Sequence, residues 1–207
     1  KDSMCFWSEN HQVLFHGGEY LAGNLFPDAV FPNSGMTGAE HREKGRRLVE
    51  QWLDWRERFG FSEWFSNCYY SMDIMALTNL VDFSPDEAVA KRAAMALDQL
   101  ALNMALNSFR GVFTSTHGRA YTEHIQTAAG ENTRQAMHLM WDIADPAPDL
   151  FDRSSTAISL ATSKWRLPAA IEAIARDSGA TFENYQSHGI GLQDLERLVH
   201  QRSGIHR

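Results

Sequence analysis

Three clusters of polar and aromatic residues hold the chemistry this 207-residue chain can offer. The first is Trp7-Ser8-Glu9-Asn10-His11-Gln12, followed by His16-Gly17-Gly18-Glu19-Tyr20. On a helix Glu9, His16 and Tyr20 share a face, while Asn10 and His11 turn roughly 100° and 200° away from Glu9. A carboxylate, an amide and an imidazole at a helix start can hold an anionic or hydroxylated ligand. The plainer account is that Glu9 and Asn10 serve capping and His11 is a satisfied buried histidine.

The second cluster is Thr116-His117-Gly118-Arg119-Ala120-Tyr121-Thr122-Glu123-His124. In an extended segment His117, Arg119 and Tyr121 project to one side, which groups a base, an anion clamp and a phenol. A solvated loop is the plain alternative. The third cluster is Glu63-Trp64-Phe65-Ser66-Asn67-Cys68-Tyr69-Tyr70. Aromatic rings beside amides and carboxylates can stack on sugar rings and hydrogen-bond them, although aromatics at a helix start are equally ordinary core.

Weaker signals point elsewhere and are set aside. His16-x-x-Glu19 offers two ligands on one helical face, but His117 and His124 complete no zinc spacing, so no metal is expected. The chain has no Gly-rich phosphate loop, GxSxG elbow or CxxC pair, and no cofactor is expected. Nothing beside Cys68 would activate it as a nucleophile. Cys5 and Cys68 are too few for a disulfide scaffold; they pair with each other or stay as two buried thiols.

The elements that must carry these clusters are helical. Ser8 suits the cap of a first helix over 9–25, and Thr37-Gly38-Ala39-Glu40 has the form of a capping box. Beyond it Leu48, Val49, Trp52, Trp55 and Phe59 form one apolar stripe. The exposed face offers Glu40–Lys44, Glu43–Arg47 and Asp54–Arg58 as i, i+4 pairs. Gly60 ends that helix, and a third is expected from 62–64 to near Val81. Ser84-Pro85-Asp86-Glu87 reads as a cap, a first-turn proline and dipole-matched acids, leading into the stripe Val89, Ala93, Ala96, Leu97, Leu100 and Met104. An irregular excursion over 112–133 follows, with one short strand at 111–116. Shorter helices are expected near 134–143, 155–163, 168–177 and 192–201, with a weak break at 145–149. The fold class is all-α, a single mainly helical domain of antiparallel helical hairpins.

Composition agrees. The chain is 43% hydrophobic and 22% charged, an ordinary globular mixture long enough to bury a core. Its net charge is −7, and residues 1–103 hold 9 basic and 15 acidic side chains. No basic field exists for nucleic acid, and no apolar run approaches the ~20 residues of a membrane span. No feature sets an oligomeric state. The start at Lys1-Asp2-Ser3-Met4 and the end at Ile205-His206-Arg207 read as a processed chain or a segment of a longer protein.

Tryptophan ahead of Glu-Asn-His at a helix head, with His-Gly-Arg-x-Tyr about a hundred residues later, resembles the polysaccharide lyases with an (α/α) toroid. The chondroitin AC, hyaluronate and alginate lyases are the nearest in kind, and the likeness covers residues 1–145. The resemblance implies part of an (α/α) toroid and an extracellular or periplasmic location. It also implies an oligosaccharide or polysaccharide substrate containing uronic acid, cleaved by β-elimination. By the same analogy Asn10 and His11 hold the substrate carboxylate and Arg119 supports them. Tyr121 is the acid or base with His117 nearby, and Trp7, Glu9, His16, Tyr20, Glu63, Trp64, Tyr69 and His124 line the substrate site. The first half's −6 balance departs from the basic groove expected for a polyanion. Two other readings stand beside this one. A glycoside hydrolase on a similar toroid would use two of Glu9, Glu63 and Asp73. A non-catalytic helical domain would bind glycan or protein through Trp7, Trp64 and Tyr69.

Overall fold

The computed structural model describes residues 5–142, 155–177, 179, 181, 183–191 and 194–195. The first helix, α1 (Glu9–Leu25), and the second, α2 (Gly38–Phe59), form a hairpin, as do α3 (Tyr70–Phe83) and α4 (Glu87–Leu106). A two-stranded hairpin, β1 (Ser108–Phe109) and β2 (Val112–Phe113), follows. Then come α5 (Thr122–Ile125), a 3-10 turn at Ala128–Gly130, α6 (Arg134–Trp141), α7 (Ser155–Thr162) and α8 (Ala169–Arg176). The chain is mainly helical, as its punctuation implies. No helix among the described residues is long and apolar enough to cross a membrane.

Local rules explain most element ends. Thr37 accepts from the Glu40 N–H while the Glu40 carboxylate accepts from the Thr37 N–H at 2.7 Å, which is the expected capping box. At the β-hairpin tip Arg110 and Gly111 both have positive φ (50° and 74°), the geometry that lets a two-residue turn follow strand twist. This hairpin replaces the single strand expected at 111–116.

Other expectations need correcting. Helix α3 starts at Tyr70, leaving 60–69 as a loop. Ser84 does not cap α4. Its Oγ binds the Asp86 N–H and carbonyl and meets the Tyr20 hydroxyl at 3.0 Å, so Asp86 takes the cap position and Pro85 stands outside the helix. Ser8 stands at the cap of α1 without capping it. The i, i+4 ion pairs are mostly replaced by pairs between helices. Lys44 binds Glu19 of α1 at 2.8 Å, and Asp54 and Glu57 both bind Arg92 of α4. Exposed pairs within one helix contribute only tenths of a kcal/mol, so a partner on a neighbouring helix readily displaces them. The break at 145–149, and the helix near 192–201 apart from 194–195, lie outside the described residues.

Glycine sets the register of the first hairpin. A Cβ on Gly45 would lie 2.6 Å from the Tyr20 nitrogen, and one on Gly23 would lie 2.4 Å from the Arg42 nitrogen. The two helices therefore touch backbone to backbone, and the antiparallel register fixed there brings Glu9 against Arg56 at the other end. Gly45→Ala must push the helices apart, because backbone atoms cannot rotate aside. It is expected to lose about 3 kcal/mol. Gly18→Ala, with nothing within 4 Å of the new methyl, is expected to gain about 0.5–1 kcal/mol. Thermal melts of the two variants check both signs.

The hairpins stack in two rows. In one, α1 and α3 run parallel, with Gly17 against Leu80 and Tyr20 against Ser84. Helix α7 extends this row beside α3 through Thr156–Ser71 and Thr78–Ser159 hydrogen bonds. Helices α2, α4 and α8 make the second row. Val13, Val49, Leu53, Leu77, Leu97 and Leu100 are buried between them. Because α1, α3 and α7 point the same way, their N-termini open on one end. The loops 60–69 and 107–133 gather there.

Candidate functional site

At that end Glu9, Glu63 and Asp73 meet, each placing a carboxylate oxygen within 4.8 Å of the other two. Glu9 is buried and heavily partnered. It forms an ion pair with Arg56, and its Oε2 accepts from the Ser62 N–H at 2.7 Å and the Ser62 hydroxyl at 2.5 Å. Trp52 Nε1 donates to the Glu9 carbonyl at 2.9 Å and lies against the Arg56 guanidinium. The Glu63 carboxylate accepts from the Asn10 backbone N–H, yet burial and the Glu9 charge push it up to about 7. Asp73 is fully buried, and among the described residues neither of its oxygens has a hydrogen-bond partner. Burial, then Glu9 and Glu63, hold its carboxyl well above the usual carboxylate range. Glu9 therefore anchors the 60–69 loop; its burial gives it no face for a sugar.

The second cluster is docked onto the third. Gly118 N–H donates to the Trp64 carbonyl at 2.7 Å, and His117 Nδ1 donates to the Phe65 carbonyl at 2.5 Å. The Arg119 carbonyl accepts from the Ser66 hydroxyl at 3.0 Å and from the Cys68 thiol. Asn67 Nδ2 donates to the His124 carbonyl. Phe65 adopts φ 42°, a conformation rare for a large residue, and its ring packs among Trp64, Phe113 and His188. Burial raises the Cys68 thiol, the opposite of what a nucleophile needs. Cys5 and Cys68 are both free.

This clasp delivers a polar rim. The hydroxyls of Tyr69 and Tyr121 lie 3.1 Å apart, and the Arg119 guanidinium sits over both rings, 6.0 and 5.6 Å from their centres. The hydrogen bond to Tyr121, then burial, raises the Tyr69 hydroxyl above the ordinary phenol value. The His124 ring meets the Tyr121 ring edge-on at 5.6 Å.

On α1 the Ser8 hydroxyl donates to Asn10 Oδ1 at 2.7 Å and meets His11 Nδ1 at 2.6 Å. One hydroxyl has one proton, so Nδ1 of His11 is the donor to Ser8. Trp7 is exposed.

The remaining sequence candidates are placed away from this end or covered. Tyr20 is 1% exposed and bound to Ser84, a core residue three turns along α1 from Glu9. Glu19 is taken by His41 and Lys44, and burial lowers the half-buried His16, so the His16-x-x-Glu19 pair assembles no ligand set. Trp64 is covered by Phe65 and His188.

Comparison with protein-family models, with curated proteins and with solved structures returns no match.

Sequence reading passed over Arg56, Ser62 and His188. For Arg56 a signal existed, since it continues the buried spacing Val49, Trp52, Leu53, and a charge on an apolar stripe needs a buried partner. His188, whose Nδ1 meets the Phe61 carbonyl at 3.0 Å, had no local signal.

Beneath the rim, Glu131 accepts from the Thr133 N–H at 3.0 Å and from its hydroxyl at 2.9 Å. Burial nevertheless raises it from 4.5 to about 7. The folded state then holds a proton that the unfolded chain has released. Stability from this group is full below pH 4.5 and is lost as pH rises to about 7. The loss amounts to up to about 3 kcal/mol. Melting temperatures from pH 4.5 to 7.5 are expected to fall less steeply in Glu131→Gln than in the parent.

Proposed function

We propose that this chain is the helical part of a polysaccharide lyase, built as a portion of an (α/α) toroid, that cleaves a uronic-acid-containing glycan by β-elimination. The observation that carries the reading is the exposed Tyr69–Tyr121 hydroxyl pair under Arg119. Parallel hairpins in two rows are the repeat from which a toroid is assembled, and the N-termini of α1, α3 and α7 bring positive dipole ends to the rim. In the reaction the C5 proton leaves, a C4–C5 double bond forms, the C4–O bond breaks and the departing oxygen takes a proton. His11 and Arg119 hold the uronate carboxylate, so that charge developing next to C5 meets fixed donors, while Asn10, itself buried, fixes the Ser8 hydroxyl that accepts from His11. Tyr121 moves the proton, with Tyr69 as its hydrogen-bond partner.

The hydrolase alternative is less well supported. A glycosidase needs its carboxyl groups on either side of a sugar. Glu9 and Asp73 are buried and touch the same small space as Glu63. A binding strip through Trp7, Trp64 and Tyr69 is interrupted where His188 covers Trp64. Incubation with a panel of acidic and neutral polysaccharides tests the reading, following ultraviolet absorbance of unsaturated uronate ends together with new reducing ends. Both signals should rise together on an acidic glycan. Reducing ends without absorbance would replace the lyase with a hydrolase.

A further inference from the structure

We propose that Glu9, Glu63 and Asp73 form a buried binding site for a divalent cation of calcium's size, one that ties the start of α1, the 60–69 loop and α3 together. The inference stands apart from the lyase reading, because it concerns how this end is held and not what it cleaves.

Three observations carry it. The three carboxylates each offer an oxygen within 4.8 Å of the others. Asp73 is 0% exposed and, among the described residues, both of its oxygens lack a hydrogen-bond partner, as does Oε2 of Glu63. Buried polar atoms are nearly always satisfied, so bare carboxylate oxygens in a cluster this close ask for a ligand that carries positive charge. Arg56 does not fill that need. It is engaged with Glu9, whose Oε2 also takes both Ser62 donors, leaving Glu9 Oε1 with only a long 3.4 Å contact from the Glu63 N–H.

Charge points the same way. Once all three are deprotonated, three carboxylates against the one Arg56 guanidinium carry two net negative charges, which a divalent cation balances as it displaces their protons. All donors are hard oxygens, with no cysteine or histidine among them, which excludes a preference for zinc or copper. A set of three protein carboxylates suits calcium, which takes six to eight oxygen ligands, better than magnesium, which keeps several waters and is usually bound through one or two carboxylates.

The test uses the whole chain after chelator treatment. Calcium chloride at about a hundred times Kd should raise the melting temperature by about 5–10 °C, with magnesium doing less. Terbium should show emission sensitised by Trp52, whose indole N–H reaches the Glu9 carbonyl, and calcium should quench it. Asp73→Asn should abolish both responses while leaving the metal-free protein at least as stable, since a neutral amide of the same shape replaces a buried acid whose ionisation burial opposes. Glu63→Gln serves the same purpose should Asp73→Asn fail to fold. No calcium shift and no terbium emission in the parent would overturn the site. So would Asp73→Asn or Glu63→Gln binding calcium as well as the parent, and a larger shift with magnesium would overturn the choice of calcium.

Discussion

Arg56→Ala is expected to destabilise the protein by about 3–5 kcal/mol, the largest single effect foreseen here. Among the described residues Arg56 is the one cation in contact with the carboxylate group, and it is 6% exposed between the rings of Trp52 and Phe61. Its loss leaves Glu9 charged and buried beside Glu63 and Asp73, and removes the packing of the guanidinium on two aromatic faces. The Ser62 donors to Glu9 remain, but they are dipoles and do not balance a charge. The double variant Arg56→Met with Glu9→Gln removes both charges and keeps similar volumes. It should recover much of the loss, so the two single effects will not add. Chemical denaturation of Arg56→Met, Glu9→Gln and the double variant measures the coupling. If Arg56→Ala unfolds with less than about 1 kcal/mol of change, the ion pair does not hold the 60–69 loop to α1.

Tyr121→Phe should leave the fold untouched and lower turnover on the cognate glycan by about 10²–10⁴-fold. The ring is 41% exposed, and its hydroxyl meets Tyr69 and the Arg119 guanidinium at the surface, so deleting one oxygen disturbs no core packing. If the phenol moves the proton, the loss falls on kcat while KM changes little, because on the proposed reading binding rests on His11 and Arg119. Tyr69→Phe keeps the Tyr121 hydroxyl and should reduce turnover less. The check is the rate of ultraviolet absorbance from unsaturated ends, with melting temperatures run in parallel. Unchanged turnover in Tyr121→Phe would remove the phenol from the chemistry and leave His11 as the candidate base.

These two expectations come from sites of opposite legibility. The Tyr121 cluster was visible as a string of polar residue types, and the structure groups Arg119 and Tyr121 with Tyr69. Its support was hidden. The hydroxyl of Ser66, the amide of Asn67 and the carbonyls of Trp64 and Phe65 hold 117–124 in place, and no local pattern marks residues that bind a loop some fifty positions onward.

What the sequence alone determined is what acts over a few residues. The capping box at Thr37–Glu40, the stop at Gly60, the limits of α1 and the apolar stripes of α2 and α4 follow from hydrogen-bond satisfaction and helical period, and hence so does the all-α class. What only the tertiary structure decided is where charge goes. Lys44, Asp54 and Glu19 found partners on other helices, Tyr20 became core through Ser84, and Glu9 met Arg56 because Gly23 and Gly45 let α1 and α2 close to backbone contact in one register. A local contact is fixed by spacing along the chain. A buried carboxylate answers to every charge within a few ångströms, and those neighbours exist only once the helices have packed.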